Sequence, residues 1–327
     1  MKILVVRFRQ MGDAILATSL LSTLKKSFPD AQIDFVLNER IAPLFEGHPA
    51  IHRLITFSDA ERHSFLTYIR KVWRIVHQTR YDVIIDMRST VNTMPFALFS
   101  LRSKWRIGIR KPYTWAIFNH RIDSCKGDES MITHNLKLVE ALAPSVVDRN
   151  LSLSITEQEK DGFHTYMQQE GIDFSRPVML VGVTAKLENK TWPEDRMTEI
   201  LRRFIMTFPQ WQIIFNYAPG REAENAKRIF GHLQSPKNIF LNVEAKSPRQ
   251  LAAMAANCTA YFGNEGGGRH IVHAMGKPSL VICSPFASKT TWLPQDTDIV
   301  AQGIDAKDAT VDFVWSELQR FCETINA

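Results

Sequence analysis

The chain has 327 residues, 45% of them hydrophobic and 23% charged, an ordinary globular composition that excludes disordered and fibrous classes and suits two packed cores. The early apolar run Ile3 to Val6 is too short for a bilayer span or a signal-peptide core and no later run is long enough, so a cytoplasmic protein is expected. The formal charge of +6 is uneven: residues 1–150 carry 22 Lys and Arg against 14 Asp and Glu, and residues 151–327 carry 18 against 20. The basic half suits an anionic partner, whether phosphorylated glycolipid, membrane surface or nucleic acid, or is simply solvated.

In chain order, Lys2 to Val6 reads as a strand, Gln10 to Asp13 as a turn, and Ile15, Leu16, Leu20, Leu21, Leu24 and Phe28 as one face of a helix. Ile33 to Leu37, Leu54 to Phe57, Val83 to Met87 and Ile107 to Ile109 read as further strands. Between them lies a basic amphipathic helix with the stripe Phe65, Ile69, Val72, Trp73 and Val76. The alternation restarts after Pro144, with strands expected at Val178 to Val183, Ile213 to Tyr217, Ile239 to Val243, Ala260 to Gly263 and Leu280 to Cys283. One helix is expected from Pro193 and another from the Ser247 cap and Pro248. Strand and helix alternating in both halves predicts two parallel, doubly wound sheets, 1–153 and 154–327, joined by a linker between Pro144 and about Ser154. Ligands of such sheets bind at the carboxyl ends of the strands.

Cys125, Cys258, Cys283 and Cys322 show no C-x-x-C spacing, which speaks for reduced packing residues and against a zinc knuckle or disulfide framework. Asp13, at the first strand-to-helix turn, reads either as a catalytic carboxylate or as a helix cap. Gly263-Asn264-Glu265-Gly266-Gly267-Gly268-Arg269-His270 follows a strand and opens a helix, so its backbone amides and helix N-terminus suit a diphosphate. It is neither a G-x-G-x-x-G fingerprint nor a Walker loop. His270 and His273 lack further local ligands for a metal site. Lys190, before Trp192-Pro193, is a candidate phosphate cation or an exposed loop lysine, and Gly220 to Glu224 and Thr291 to Pro294 sit in comparable loops.

Taken in order, a strand ending in Arg7, Gly12-Asp13, Lys190 with Trp192-Pro193, Gly263-Asn264-Glu265-x-Gly267, His270, Gly276-Lys277-Pro278 and Trp292-x-Pro294 resemble the bacterial lipopolysaccharide heptosyltransferases of glycosyltransferase family 9. That resemblance implies a GT-B fold, two doubly wound Rossmann-like domains facing a central cleft, with the acceptor held mainly by the first and the nucleotide sugar by the second. It implies that the last helix, about 311–325, packs back on the first domain. It implies inverting transfer of heptose from ADP-heptose to a lipopolysaccharide core acceptor, with no cofactor and no metal. By position, Asp13 is then the general base, and Lys190, Glu265, Gly266, Gly267, Gly268 and His270 bind the donor, with Arg269 and Glu222 as further donor contacts. Gly12, Arg70, Arg74, Arg102, Lys104 and Arg106 become candidates for binding a phosphorylated glycolipid at the cytoplasmic face of the inner membrane, with no nucleic acid partner expected. The chain departs from the family where Asp, then Ser or Thr, then Gly is usual and Glu265-Gly266-Gly267 stands instead. The departure opens two alternatives, a different nucleotide sugar or acceptor, and nucleotide-sugar binding without transfer. An epimerase or hydrolase on the same architecture is the nearest enzymatic rival.

Overall fold

The computed structural model describes residues 1–8, 10–125, 129–283 and 298–326, which form two compact units, Met1–Ser154 and Ile155–Ala327. In the first, six parallel strands, β1 (Lys2–Val6), β2 (Gln32–Asn38), β3 (Arg53–Phe57), β4 (Val83–Asp86), β5 (Trp105–Ile109) and β6 (His120–Ile122), line up in the order β3-β2-β1-β4-β5-β6. The helices between them are α1 (Met11–Leu16), α2 (Thr18–Ser27), α3 (Asp59–His63), α4 (Phe65–Gln78), α5 (Met94–Leu98) and α6 (Met131–Glu140). The central strands are apolar except at their ends, Lys2 opening β1 and Asp86 closing β4, because both faces are covered. Phe8, Phe57, Tyr68 and Phe96 pack edge-on or tilted beneath α4 and α5, with ring centroids 5.2–6.4 Å apart.

The second unit opens with α7 (Glu157–Gln169), started by a capping box between Thr156 and Glu159. It continues as β7 (Val178–Gly182), α8 (Glu194–Thr207), β8 (Gln212–Phe215), α9 (Arg221–His232), β9 (Ile239–Phe240), α10 (Pro248–Asn257), β10 (Ala260–Asn264), α11 (Gly267–Ala274), β11 (Ser279–Ile282), β12 (Asp298–Val300) and α12 (Val311–Asn326). Its sheet runs β12-β11-β10-β7-β8-β9, again all parallel. Both units therefore repeat the order 3-2-1-4-5-6, whose switch point lies between the first and fourth strands.

The expected strands are present with local shifts. Ile239 to Val243 shortens to β9, the helix expected from Pro193 begins one residue later with Pro193 at its cap, and the first helix breaks at Ala17 into α1 and α2. The expected linker is pinned to α2 by polar side chains on that helix's inner face: Thr23 exchanges hydrogen bonds with the backbone of Asp148, Ser27 does so with Val146, and Thr18 accepts from the Ser152 amide at 3.1 Å. The buried stripe of α12, Val314, Leu318, Phe321 and Cys322, joins Ile200, Leu201 and Phe204 of α8 in the second unit's core. Its described packing partners lie in its own unit. Among the described residues no helix is long and apolar enough to cross a membrane.

Candidate active site

In each unit the switch point carries an ion pair. In the first, β1 runs straight into Arg7, whose guanidinium donates to the Met87 carbonyl beyond β4 at 3.0 Å and to Asp13 Oδ1 at 2.8 Å. Both side chains are almost fully buried. Asp13 is the third residue of α1, not its cap: the cap position is Gln10, which makes no side-chain capping bond. The carboxylate thus sits in the first turn, where the helix macrodipole favours negative charge, at the carboxyl end of the sheet. Gly12 precedes it in the same turn. Asp86, the last residue of β4, is also buried, accepts from the amides of Arg88 and Ser89, and is pushed above the usual carboxylate range by desolvation.

In the second unit a tight glycine approach sets the geometry. Gly263 has φ +132°, and a Cβ there would lie 2.4 Å from the Gly182 carbonyl oxygen, so only glycine lets the ends of β10 and β7 come this close. Asn264 uses that closeness as a clasp, donating from Nδ2 to Gly182 O at 2.9 Å and accepting from the Trp192 amide at 2.7 Å. Trp192, fully buried, donates its indole N–H to Ala309 O and fixes the loop after β7. That loop carries Lys190, whose Nζ meets Glu265 Oε2 at 2.8 Å; the lysine is about one-third exposed (32%) and the acid buried. Gly266 is extended at the start of α11, and a Cβ there would meet nothing within 4 Å, whereas Gly268 abuts Asn216 Nδ2, which a Cβ would approach to 2.7 Å.

Arg269 and His270 lie on the first turn of α11 and are buried against each other, an Arg269 Nη approaching the imidazole nitrogens at 2.9 and 3.1 Å. Burial pulls Arg269 down to about 10, partly offset by Glu265, so it stays cationic at neutral pH. His270 is driven well below its ordinary value by desolvation and then by the Arg269 charge. It is therefore neutral at pH 7, a hydrogen-bonding group and not a second cation. Glu222, in the first turn of α9, accepts from the Ala218 amide at 3.4 Å and is close enough for its charge to raise Tyr261, whose hydroxyl donates to Asn264 O.

The fold thus gathers Lys190, Glu265 to His270 and Glu222 at one sheet edge. It separates the basic residues of the first unit. Trp105 opens β5 and bonds to Asp82, itself bonded to Lys2, so Arg102, Lys104 and Arg106 lie at the amino ends of the strands, the edge opposite Asp13. Arg106 also spends its guanidinium on the carbonyls of Leu101, Ser103 and Ile117. These three, expected as acceptor contacts, thus lie at the opposite edge from Asp13, and Arg106 braces the entry to β5. Arg70 and Arg74 are exposed on α4, Arg74 toward the end that leads back to the amino edge. Trp292 and Pro294, like Arg9, lie outside the described residues. Sequence reasoning misses the Arg7 partner of Asp13 and the Asn264 clasp; the signal for both is a polar residue at the exit of an otherwise apolar strand. As for metals, Cys125, Glu129 and His134 bring donor atoms within 4.8 Å of one another, but Glu129 is already ion-paired with Lys137.

Residues 69–307 match the model of glycosyltransferase family 9 (heptosyltransferase). The chain belongs to that family and is a glycosyltransferase. Lipopolysaccharide heptosyltransferase 1 of Campylobacter coli is 21% identical over 295 residues, covering 86% of this chain and 83% of the relative. Among solved structures, a family 9 glycosyltransferase from Veillonella parvula superposes with TM-score 0.84 at 17% identity, covering 99% of this chain and 96% of the other. An Escherichia coli heptosyltransferase solved with ADP-2-deoxy-2-fluoro heptose gives TM-score 0.72 at 17% identity, covering 100% of both chains. The family 9 chain is accordingly a GT-B protein with two Rossmann-like domains.

Proposed function

We propose that this family 9 enzyme transfers heptose from ADP-heptose to a lipopolysaccharide core acceptor with inversion at the anomeric carbon, using Asp13 as general base and no metal. The observation that carries the reading is the pairing of a buried, Arg7-anchored carboxylate at one switch point with a lysine, a glycine turn and a helix N-terminus at the other. An acceptor hydroxyl is a poor nucleophile; a carboxylate takes its proton as the oxygen attacks the anomeric carbon and the bond to the diphosphate breaks. The leaving ADP gains charge, which Lys190, Arg269 and the amides of Gly267 and Gly268 are suited to stabilise. Lys190 meanwhile rests on Glu265, so donor binding trades that carboxylate for phosphate and frees Glu265 toward sugar hydroxyls. Neutral His270 supplies a hydrogen bond there.

A second reading is favoured by one observation: Glu265-Gly266 lacks the family's hydroxyl, and Arg269 brings a buried cation to the same turn. It assigns a donor other than ADP-heptose. The deciding experiment is transfer from ADP-heptose to a heptose-free core glycolipid, with and without chelator, by wild type and Asp13→Asn. Transfer that survives the chelator and falls at least about a hundredfold in the folded variant supports the first reading. Tight ADP binding without transfer shifts the case to another donor, and consumption of donor with no glycolipid product marks a hydrolase or epimerase.

A further inference from the structure

The basic residues 102–106 do not share the Asp13 edge, but that edge carries a different surface. Three loops leave the carboxyl ends of β3, β4 and β5. The first opens α4 with Phe65 and Leu66, 73% and 80% exposed. The second carries Val91, 71% exposed, and the third Tyr113 and Trp115, the tryptophan also 71% exposed. They are tied together: the Tyr68 hydroxyl, one turn into α4, donates to Asn92 O in the second loop, and Lys111 Nζ in the third donates to Arg88 O in the second at 2.9 Å. Nor are these side chains merely on slack chain. Tyr113 and Trp115 flank Thr114, which is fully buried and holds the Lys111 amide and carbonyl, and Phe118 is buried three residues on. The fold holds their neighbours inside and these groups in water.

We propose that the first unit docks on an anionic lipid bilayer through this rim, with Phe65, Leu66 and Val91 entering the acyl boundary and Tyr113 and Trp115 at headgroup depth. Isolated exposed apolar residues are ordinary; five on three stitched loops are a patch. Its chemistry is that of an interfacial surface: α4 and the loops that carry the aliphatic and aromatic tips also carry Arg62, Arg70, Lys71, Arg88, Arg110 and Lys111, of which Arg62 pairs with Asp59, Lys71 with Glu61 and Arg110 with Asp123, so cations remain in excess. The patch lies at the edge that holds Asp13, so docking would bring a membrane-anchored acceptor to the base. This inference rests on the lipid-linked acceptor of the proposed reaction.

The test is co-sedimentation of the full chain with phosphatidylethanolamine/phosphatidylglycerol vesicles and with phosphatidylcholine vesicles. Wild type should partition onto the anionic vesicles, and Phe65→Ser/Leu66→Ser/Trp115→Ser should lose about tenfold or more of that partition. Leu101→Ser, an exposed apolar residue at the opposite sheet edge, is the control and should change it less than about twofold. ADP binding and transfer to a deacylated, water-soluble acceptor should be the same in all three. Absence of wild-type binding, an unaffected triple variant, or equal loss in Leu101→Ser overturns the rim. If the rim variants lose vesicles while wild type transfers to no core acceptor, docking stands and the proposed reaction falls.

Discussion

The two units share a strand order and place an ion pair at the same topological point, yet the pairs differ in how they are closed. Arg7 and Asp13 are both sealed, and Arg7 is further tied to the Met87 carbonyl. Lys190 and Glu265 form a half-open pair in which the acid is buried and the lysine reaches solvent. A sealed pair fixes a carboxylate in one orientation, as a base requires. A half-open pair can be exchanged for a ligand's charge, as a phosphate site requires. On the proposed reading, the same position in one architecture serves two tasks, and the burial of the cation distinguishes them.

The comparison breaks most sharply at the cations. Arg7→Ala takes this cation from a buried carboxylate, and we expect a loss of about 3–5 kcal/mol in unfolding free energy. Lys190→Ala should cost under about 1 kcal/mol, since the pair is partly exposed and Arg269 remains near Glu265. That variant should instead weaken ADP binding about tenfold or more, the worth of a charge-assisted hydrogen bond. Denaturant titration and calorimetric ADP binding read the two effects, and equal stability losses would erase the distinction between sealed and exchangeable pairs. The glycines of the second site give a smaller contrast. Gly263→Ala meets a forbidden φ and a carbonyl oxygen at 2.4 Å, for an expected cost of about 3 kcal/mol. Gly266→Ala enters open space on extended backbone and should stay within about 0.5 kcal/mol, so any loss of donor affinity there reports on the ligand's own need for room.

Much of this is legible in the sequence because it rests on periodicity. Apolar β-branched runs alternating with 3.6-residue stripes specify parallel doubly wound units, and a glycine turn between strand and helix marks the edge proposed for the donor. What escapes is what periodicity does not encode. β6 and β12 span three residues each, too short to show a period. At the break beside Ala17, Leu16 O accepts from Asn135 Nδ2 of α6 at 3.2 Å, a contact distant in sequence. The segment 144–154 looks like a linker since its ties are made by Thr18, Thr23 and Ser27, whose polar side chains read as surface. The place of Arg102, Lys104 and Arg106 in the fold escapes for a simpler reason. Residues that precede a strand in a parallel sheet lie at its amino edge, and the charge of a basic cluster says nothing of that geometry.

A pH-dependent effect separates the two units by their histidines. His48 in the first is buried; its Nδ1 accepts from the Ala50 amide at 3.2 Å, which leaves Nε2 to carry the proton toward Ser152 Oγ at 3.0 Å. Burial lowers it to about 4, from an ordinary 6.5. Since the folded value lies below the unfolded one, the unfolded chain binds the extra proton, and the stabilisation is complete above pH 6.5 and lost as pH falls toward 4. Between pH 7 and pH 5 the loss from this residue is about 2 kcal/mol. His270 in the second unit shifts in the same direction, so wild type alone cannot apportion the slope. His48→Gln keeps a polar side chain at the Ser152 contact and does not titrate. Its unfolding free energy should fall by about 2 kcal/mol less than that of wild type over this interval. Parallel curves would mean that His48 takes up its proton alike in the folded and unfolded chain, and that the acid sensitivity resides in other buried histidines, His134 and His270.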